Sequence, residues 1–177
     1  MVDPRLQEYS ELPHVGPGNI ESFSGRLLDN VHTVKQDNLI SGKFRFFPGD
    51  IIYGKINPQL AKYVIAATNG LSSADTYVLR ANSTHLKQVF LFYLIQTRSF
   101  YQYTVSVSMR TGMPKINREE LDNFLFLGPE VGEQAKIGLF FSSLDKTIAL
   151  HQRSWLKPTV KKNRDTLTKM VFVCVYK

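Results

Sequence analysis

EQAKIGLFFSSLDKTIALHQRSWLK, residues 133–157, is the stretch on which the fold turns. Ile137, Phe141, Leu144, Ile148, His151 and Trp155 follow one another at steps of four, three, four, three and four. That spacing lays them on one stripe of a helix. Leu139, Phe140 and Leu150 widen the stripe beyond a minimal coiled-coil seam. No glycine or proline falls between Leu139 and Lys157 to interrupt it. The spacing predicts a helix from residue 133 onward. Its apolar face has two uses open to it, packing on its own domain or pairing with a partner helix.

What precedes the helix has the size of one domain. A chain of 177 residues can enclose a real hydrophobic core and carry an appendage. Hydrophobic residues at 43% against 21% charged place it among ordinary globular proteins and not disordered ones. The single cysteine, Cys174, excludes an intrachain disulfide framework and a cysteine-built metal site. The amino end, MVDPRLQEYSELP, lacks the apolar core of a signal peptide, and no apolar run approaches a bilayer span. A cytoplasmic protein without a membrane partner is the expectation.

Charge is unevenly divided. Residues 42–118 hold 10 basic and 2 acidic side chains, whereas residues 1–41 and 119–150 are net acidic. Such a concentration of positive charge in a folded segment repels itself unless a polyanion or an acidic neighbour answers it. A solvated basic face is one explanation. Nucleic acid is the stronger one, since neutralising phosphates supplies much of such a complex's affinity.

In chain order, residues 1–41 are polar and broken by Pro13, Gly16, Pro17 and Gly18. Asn19, Glu21, Ser22 and Ser24 suit base-edge hydrogen bonds, and equally suit turns. Nothing before His14 reads as a strand, so the pattern predicts a domain without its opening element. KFRFF from Lys43, Ile51–Tyr53, Tyr63–Ala67 and Thr76–Leu79 read as short strands separated by turns at Pro48-Gly49-Asp50 and Thr68-Asn69-Gly70. Asn57, before Pro58, is biased toward extended geometry. Ser83 or Thr84 is placed to cap a helix over residues 85–103, burying Val89, Phe90, Tyr93, Leu94 and Phe100. Asn117 and Glu120 form a capping box for a helix at 118–123, and Phe124–Leu127 returns as a strand.

Catalytic chemistry finds little support. GKIN lacks the glycine spacing and the following hydroxyl of a phosphate-binding loop. Ser72 and Ser73 have no glycine elbow, and nothing brings His85 beside them as a base. His14, His32, His85 and His151 show no metal-ligand spacing. No catalytic and no metal-binding residue is expected. Lys55, Asn57, Lys62, Arg110 and Lys115, by contrast, pair phosphate-seeking cations with amides and an arginine fork able to meet base edges.

GDIIYGKINPQLAK, SSADTYVLR, FLFYLIQTRSF, GMPKINREELDNF and EQAKIGLFFSSLDKTIALHQR, in that order, resemble the specificity subunits of type I restriction-modification enzymes. The resemblance covers residues 14–157 and takes in one target recognition domain with its following conserved helix. It implies an α+β fold, mostly an antiparallel twisted sheet with a packed helix, followed by a long protruding helix for coiled-coil pairing. The division it implies is a recognition domain over 1–132 and a helical dimerisation region over 133–177.

The resemblance also implies a function: noncatalytic recognition of double-stranded DNA. A complete family member carries two recognition domains on antiparallel helices, each reading part of a split target. A methylation subunit docks around the helices, and a motor endonuclease subunit joins for restriction. Methyl donor and ATP belong to those partners, so no cofactor is expected in this chain. Lys55, Asn57, Lys62, Arg110 and Lys115 match the DNA-facing stretches, and Asn19 and Ser22 the early variable loop. A chain resembling one half is expected to homodimerise, or to pair with another specificity half, through Ile137, Phe141, Leu144, Ile148 and Trp155.

Two departures bear on that expectation. PEVGEQ stands where the family has a proline-rich run before its EQ, and Gly132 loosens the junction. Pro158 falls where the family's helix continues, which predicts a kink or break there. VFVCVYK at the end reads as a strand or an exposed apolar end. A working specificity component and a truncated remnant acting only as an interaction module therefore both stay open.

Overall fold

The computed structural model describes residues 1–109 and 112–155. It divides into two compact units, Met1–Ser143 and Leu144–Lys177. The strands are β1 (Pro13–Val15), β2 (His32–Thr33), β3 (Phe44–Phe46), β4 (Ile51–Gly54), β5 (Tyr63–Ile65), β6 (Gly70–Ser72) and β7 (Thr76–Leu79). The helices are α1 (Gln88–Leu94), α2 (Arg98–Ser108), α3 (Arg118–Asp122) and α4 (Val131–Trp155). None of the described helices is long and apolar enough to cross a membrane.

Two small sheets form where the pattern predicts one. Their orders are β2-β1-β6-β3 and β5-β4-β7. All pairings are antiparallel except β1 with β6, which is parallel. β4 is central in the second sheet and buried along its whole length, which explains its unbroken apolar run. Its side chains alternate between two cores. Ile51 and Tyr53 join Phe92, Ile95, Phe100 and Ile116 on the helical side, while Ile52 joins Val15, Ile20 and Phe46 on the other. Fully burying one such isoleucine contributes about 1.5–3 kcal/mol. In the first sheet β6 admits no side chain at Gly70, where a Cβ would lie 2.1 Å from Phe46 Cζ and 2.7 Å from the Pro13 carbonyl oxygen.

The expected helix over 85–103 is two helices. Thr97 interrupts it with extended backbone (φ −69°, ψ 150°), and its hydroxyl accepts the Phe100 N–H at 3.3 Å, starting α2 afresh. Neither Ser83 nor Thr84 caps α1, because residues 82–86 turn instead, with His85 and Leu86 N–H both donating to the Asn82 carbonyl. The deeply buried residues are Phe92, Ile95 and Phe100, whereas Val89, Phe90, Tyr93 and Leu94 are only half-buried. Phe124–Leu127 forms no strand. Phe124 stacks edge-on against Phe100 with centroids 5.0 Å apart, and Phe126 lies tilted against Phe90 at 6.4 Å, so ring contacts hold the segment without a ladder.

α4 docks onto α1 through two residues of its first turns. Gln134 is 4% exposed; its Oε1 accepts the Lys87 N–H at 3.0 Å, and its Nε2 donates to the carbonyls of His85 and Pro129. Gly138 lies where a Cβ would stand 3.1 Å from both Phe90 N and Val89 Cβ, so a side chain there would press the two helices apart by a few tenths of an ångström. Along the apolar stripe Ile137 is half-buried, and Phe141 meets the Tyr93 ring at 5.2 Å while staying 42% exposed. Leu144 and Ile148, in the second unit, are 44% and 46% exposed. The Trp155 side chain, the predicted break at Pro158 and the VFVCVYK end lie outside the described residues.

β1 and β2 are tied by a carboxylate shared between two imidazoles. His14 Nδ1 donates to Asp37 at 2.6 Å and His32 Nδ1 at 2.9 Å. The His14 bond above all holds the Asp37 carboxyl below the usual carboxylate range. The ionised form is thus favoured by folding, so its stabilisation is complete above about pH 4 and fades as pH falls further. Asp37→Asn is expected to lower the melting midpoint by several degrees at neutral pH and by much less near pH 3. An equal loss at both, in thermal melts by circular dichroism, would refute this account.

Candidate nucleic-acid interface

The polar stretches GKINPQLAK and GMPKIN, distant in sequence, are held together by main-chain bonds. Asn57 N–H donates to the Pro114 carbonyl at 2.8 Å, Ile116 N–H to the Lys55 carbonyl at 3.0 Å, and Ile56 bridges antiparallel to Lys115. Lys55 N–H in turn donates to the Asp75 carbonyl, just before β7. These bonds bring Lys55, Asn57 and Lys115 to one end of the β5-β4-β7 sheet. Arg110 lies outside the described residues.

Asn57 does not take the extended backbone expected before proline. Its φ of 51° and ψ of 61° are left-handed, a region that asparagine tolerates better than most residues and that its bond to Pro114 fixes. Ala61, at φ 43°, is left-handed as well. The turn Pro58–Leu60 therefore sits between two strained residues, overdetermined by Leu60 N–H to the Asn57 carbonyl, Ala61 N–H to the Pro58 carbonyl, and the Tyr101 hydroxyl on the Gln59 carbonyl. Such a turn presents its side chains in one geometry.

The early loop attaches beside this turn. Ser22 bridges antiparallel to Lys62, and Phe23 N–H donates to the Ala61 carbonyl at 3.0 Å. Lys62 Nζ donates to the Pro17 carbonyl at 2.6 Å, which uses one of the ammonium's three donors. The Asn19 amide serves its own loop, with Oδ1 accepting the Gly16 N–H at 2.8 Å and Nδ2 donating to the Asn30 carbonyl at 2.9 Å. Lys62 and Ser22 thus stand with the early loop, while Lys55, Asn57 and Lys115 form the adjoining group.

The structure also sorts the basic residues by what answers them. Arg80 makes two bonds to the buried Asp50 carboxylate, at 2.6 and 2.8 Å, at the opposite end of β4 and β7. Burial pushes that carboxyl up, but Arg80 and the Phe47 N–H bring it below its ordinary value. Lys43 is buried, with its ammonium on Ser41. Among the described residues Lys55, Lys62, Lys115 and Arg118 form no ion pair. Of the unpaired cations, these four stand at or beside the joined loops.

Sequence reading missed Arg118 and Tyr77. The Arg118 guanidinium carbon lies 5.7 Å from the Tyr77 ring centre and Lys55 Nζ 5.6 Å from it. Asn117 caps α3 through the expected box, with Glu120 N–H on its Oδ1 and its own N–H on Glu120, both at 2.8 Å, which places Arg118. No sequence signal links Tyr77 to Arg118, since only the fold brings them together. Among the described residues no cluster of three or more His, Cys, Asp or Glu side chains is arranged to hold a metal ion.

The chain is 35% identical over 131 residues to the specificity subunit of the type I restriction enzyme EcoDI from Escherichia coli, a match covering 73% of this chain and 28% of that protein. Two solved structures share its fold. One is the HsdS subunit from Thermoanaerobacter tengcongensis, at a TM-score of 0.67 and 20% identity. The other is a chain from a structure describing complex assembly and conformational transition of the type I R-M system, at 0.67 and 21%. Each alignment covers 86% of this chain and 40% of the other, so this chain spans less than half of any of these relatives. The model of the type I restriction modification DNA specificity domain matches residues 7–156, and the chain belongs to that family.

Proposed function

We propose that this chain reads duplex DNA by sequence as the noncatalytic specificity component of a type I restriction-modification complex. The observation that carries the reading is the joined loop module, in which Lys55 and Lys115 flank Asn57 at one sheet end and no carboxylate pairs with them among the described residues. Cations of this kind draw in phosphates and set register, whereas an amide held in one geometry can discriminate base edges. Lys62, Ser22 and Asn19 form the neighbouring wall, and Arg110 stands five residues before Lys115 in the sequence. A titration of the chain with its methylation subunit against matched and scrambled duplexes tests the reading. Preference for one sequence supports it; equal affinity for all sequences favours a remnant that serves only as an interaction module.

The partners follow from this role: double-stranded DNA, a methylation subunit and a motor endonuclease subunit. Methyl donor and ATP act in those partners. Among the described residues one recognition domain leads into α4, and two copies, or this chain with another specificity half, would supply two recognition domains. The proposed seam is Ile137, Phe141, Leu144, Ile148 and Trp155, supported by the exposure of Phe141, Leu144 and Ile148 on α4. Leu144→Asp is expected to convert a dimer to a monomer at micromolar concentration, because an unpaired charge would be buried from each copy. Sedimentation equilibrium measures it, and a dimer unchanged by the substitution would refute this seam.

A further inference from the structure

We infer that Tyr77 is a positioning residue for DNA contact, its ring holding the Lys55 ammonium and the Arg118 guanidinium together, and that Arg118 contacts a backbone phosphate. The inference deepens the DNA-recognition reading and rests on it. Tyr77 is fixed at two places. Its main chain lies in β7 opposite Tyr53, and its hydroxyl donates to the Ile116 carbonyl at 3.2 Å. The ring therefore spans from the sheet to the GMPKIN segment and cannot swing away without breaking that bond.

The electron-rich face of an aromatic ring attracts cations, and both side chains stand within reach of it. Lys55 and Arg118 are separated by no more than the sum of their two distances to the ring centre. Among the described residues neither cation has an ion-pair partner, so both charges are available to an incoming anion. Asp122, one turn further along α3, is the acidic group whose field also reaches Tyr77. The arrangement keeps both cations at one ring beside the joined loops, where the phosphates of a duplex can meet them. A guanidinium suits phosphate because its fork of donors matches two phosphate oxygens. Lysine alone, read from sequence, gives this surface its charge; Tyr77 and Arg118 give it a fixed spacing.

The test is fluorescence-anisotropy titration of the full chain, with its methylation subunit, against a labelled duplex over a range of salt concentrations. Arg118→Gln is expected to flatten the slope of log affinity against log salt by about one unit, the loss of one phosphate contact. Tyr77→Leu is expected to weaken binding by about five- to tenfold at fixed salt, and Tyr77→Phe, which keeps the ring but loses the hydroxyl's bond to Ile116, to weaken it less. In a background lacking both cations, Lys55→Gln with Arg118→Gln, Tyr77→Leu should cost little more, because the ring then has nothing to hold. A merely structural tyrosine would show the same loss in both backgrounds, and that result overturns the inference. So does an unchanged salt slope for Arg118→Gln, a surface substitution that decides the matter even if Tyr77→Leu fails to fold. Absence of salt-dependent binding by the unaltered chain would instead bring down the DNA reading itself, and this inference with it.

Discussion

Gln134→Leu should destabilise the Met1–Ser143 unit by about 2–4 kcal/mol, although leucine matches glutamine in helix propensity. The glutamine is buried and bonds three main-chain groups: the Lys87 N–H and the carbonyls of His85 and Pro129. Leucine satisfies none of them. A buried N–H left without an acceptor is the most expensive of the three to strand. Because these bonds join the start of α4 to the turn before α1, the loss should appear as a lower urea midpoint at nearly constant slope. A change below about 0.5 kcal/mol would mean that the turn re-forms its bonds elsewhere or to water.

Replacing Lys55 and Lys115 by alanine together with Asn57→Gly should lower affinity for a recognised duplex by roughly a hundredfold. Glycine is the informative replacement at 57, since it removes the amide while keeping the left-handed backbone that the turn needs. Two lost phosphate contacts should flatten the salt slope by about two units, and the lost amide should appear as weaker discrimination between sequences. None of the three residues belongs to a buried core cluster, so the melting midpoint should move little. A hundredfold loss accompanied by unfolding would not support the assignment; a stable triple variant that binds normally would place the DNA surface elsewhere.

Legibility in the sequence depended on how local the governing interaction is. β3, β4, β5 and β7 were readable because apolar and β-branched runs stand between turn residues, and the capping box at Asn117 because both partners lie within one turn of helix. β1, β2 and β6 lack such runs, and partners elsewhere in the chain decide their pairing, so composition around Pro13 or Gly70 carries no strand signal. The break before α2 turned on Thr97 acting as a cap within an otherwise helical apolar run. That hydroxyl was the available clue.

The candidate site divides along the same line. Lysines beside amides around Asn57 and Lys115 were legible as chemistry, and the family's motif order put them on one surface. Their meeting depends on Pro114 and Lys55 carbonyls taking N–H groups from the other stretch, which no local pattern encodes. The left-handed Asn57 was misread because the rule for residues before proline describes the common extended case. Here a tertiary hydrogen bond outweighs that preference. For Asn19 the sequence left turn use and base contact open; in the structure its amide braces its own loop, and Lys62 gives one donor to that loop.

Selection from a randomised duplex pool by this chain bound to its methylation subunit tests the central claim most directly. The proposal predicts enrichment of one defined sequence at physiological salt, and loss of that enrichment when Lys55, Asn57 and Lys115 are replaced. Retention of every sequence in equal proportion by the unaltered complex would contradict it.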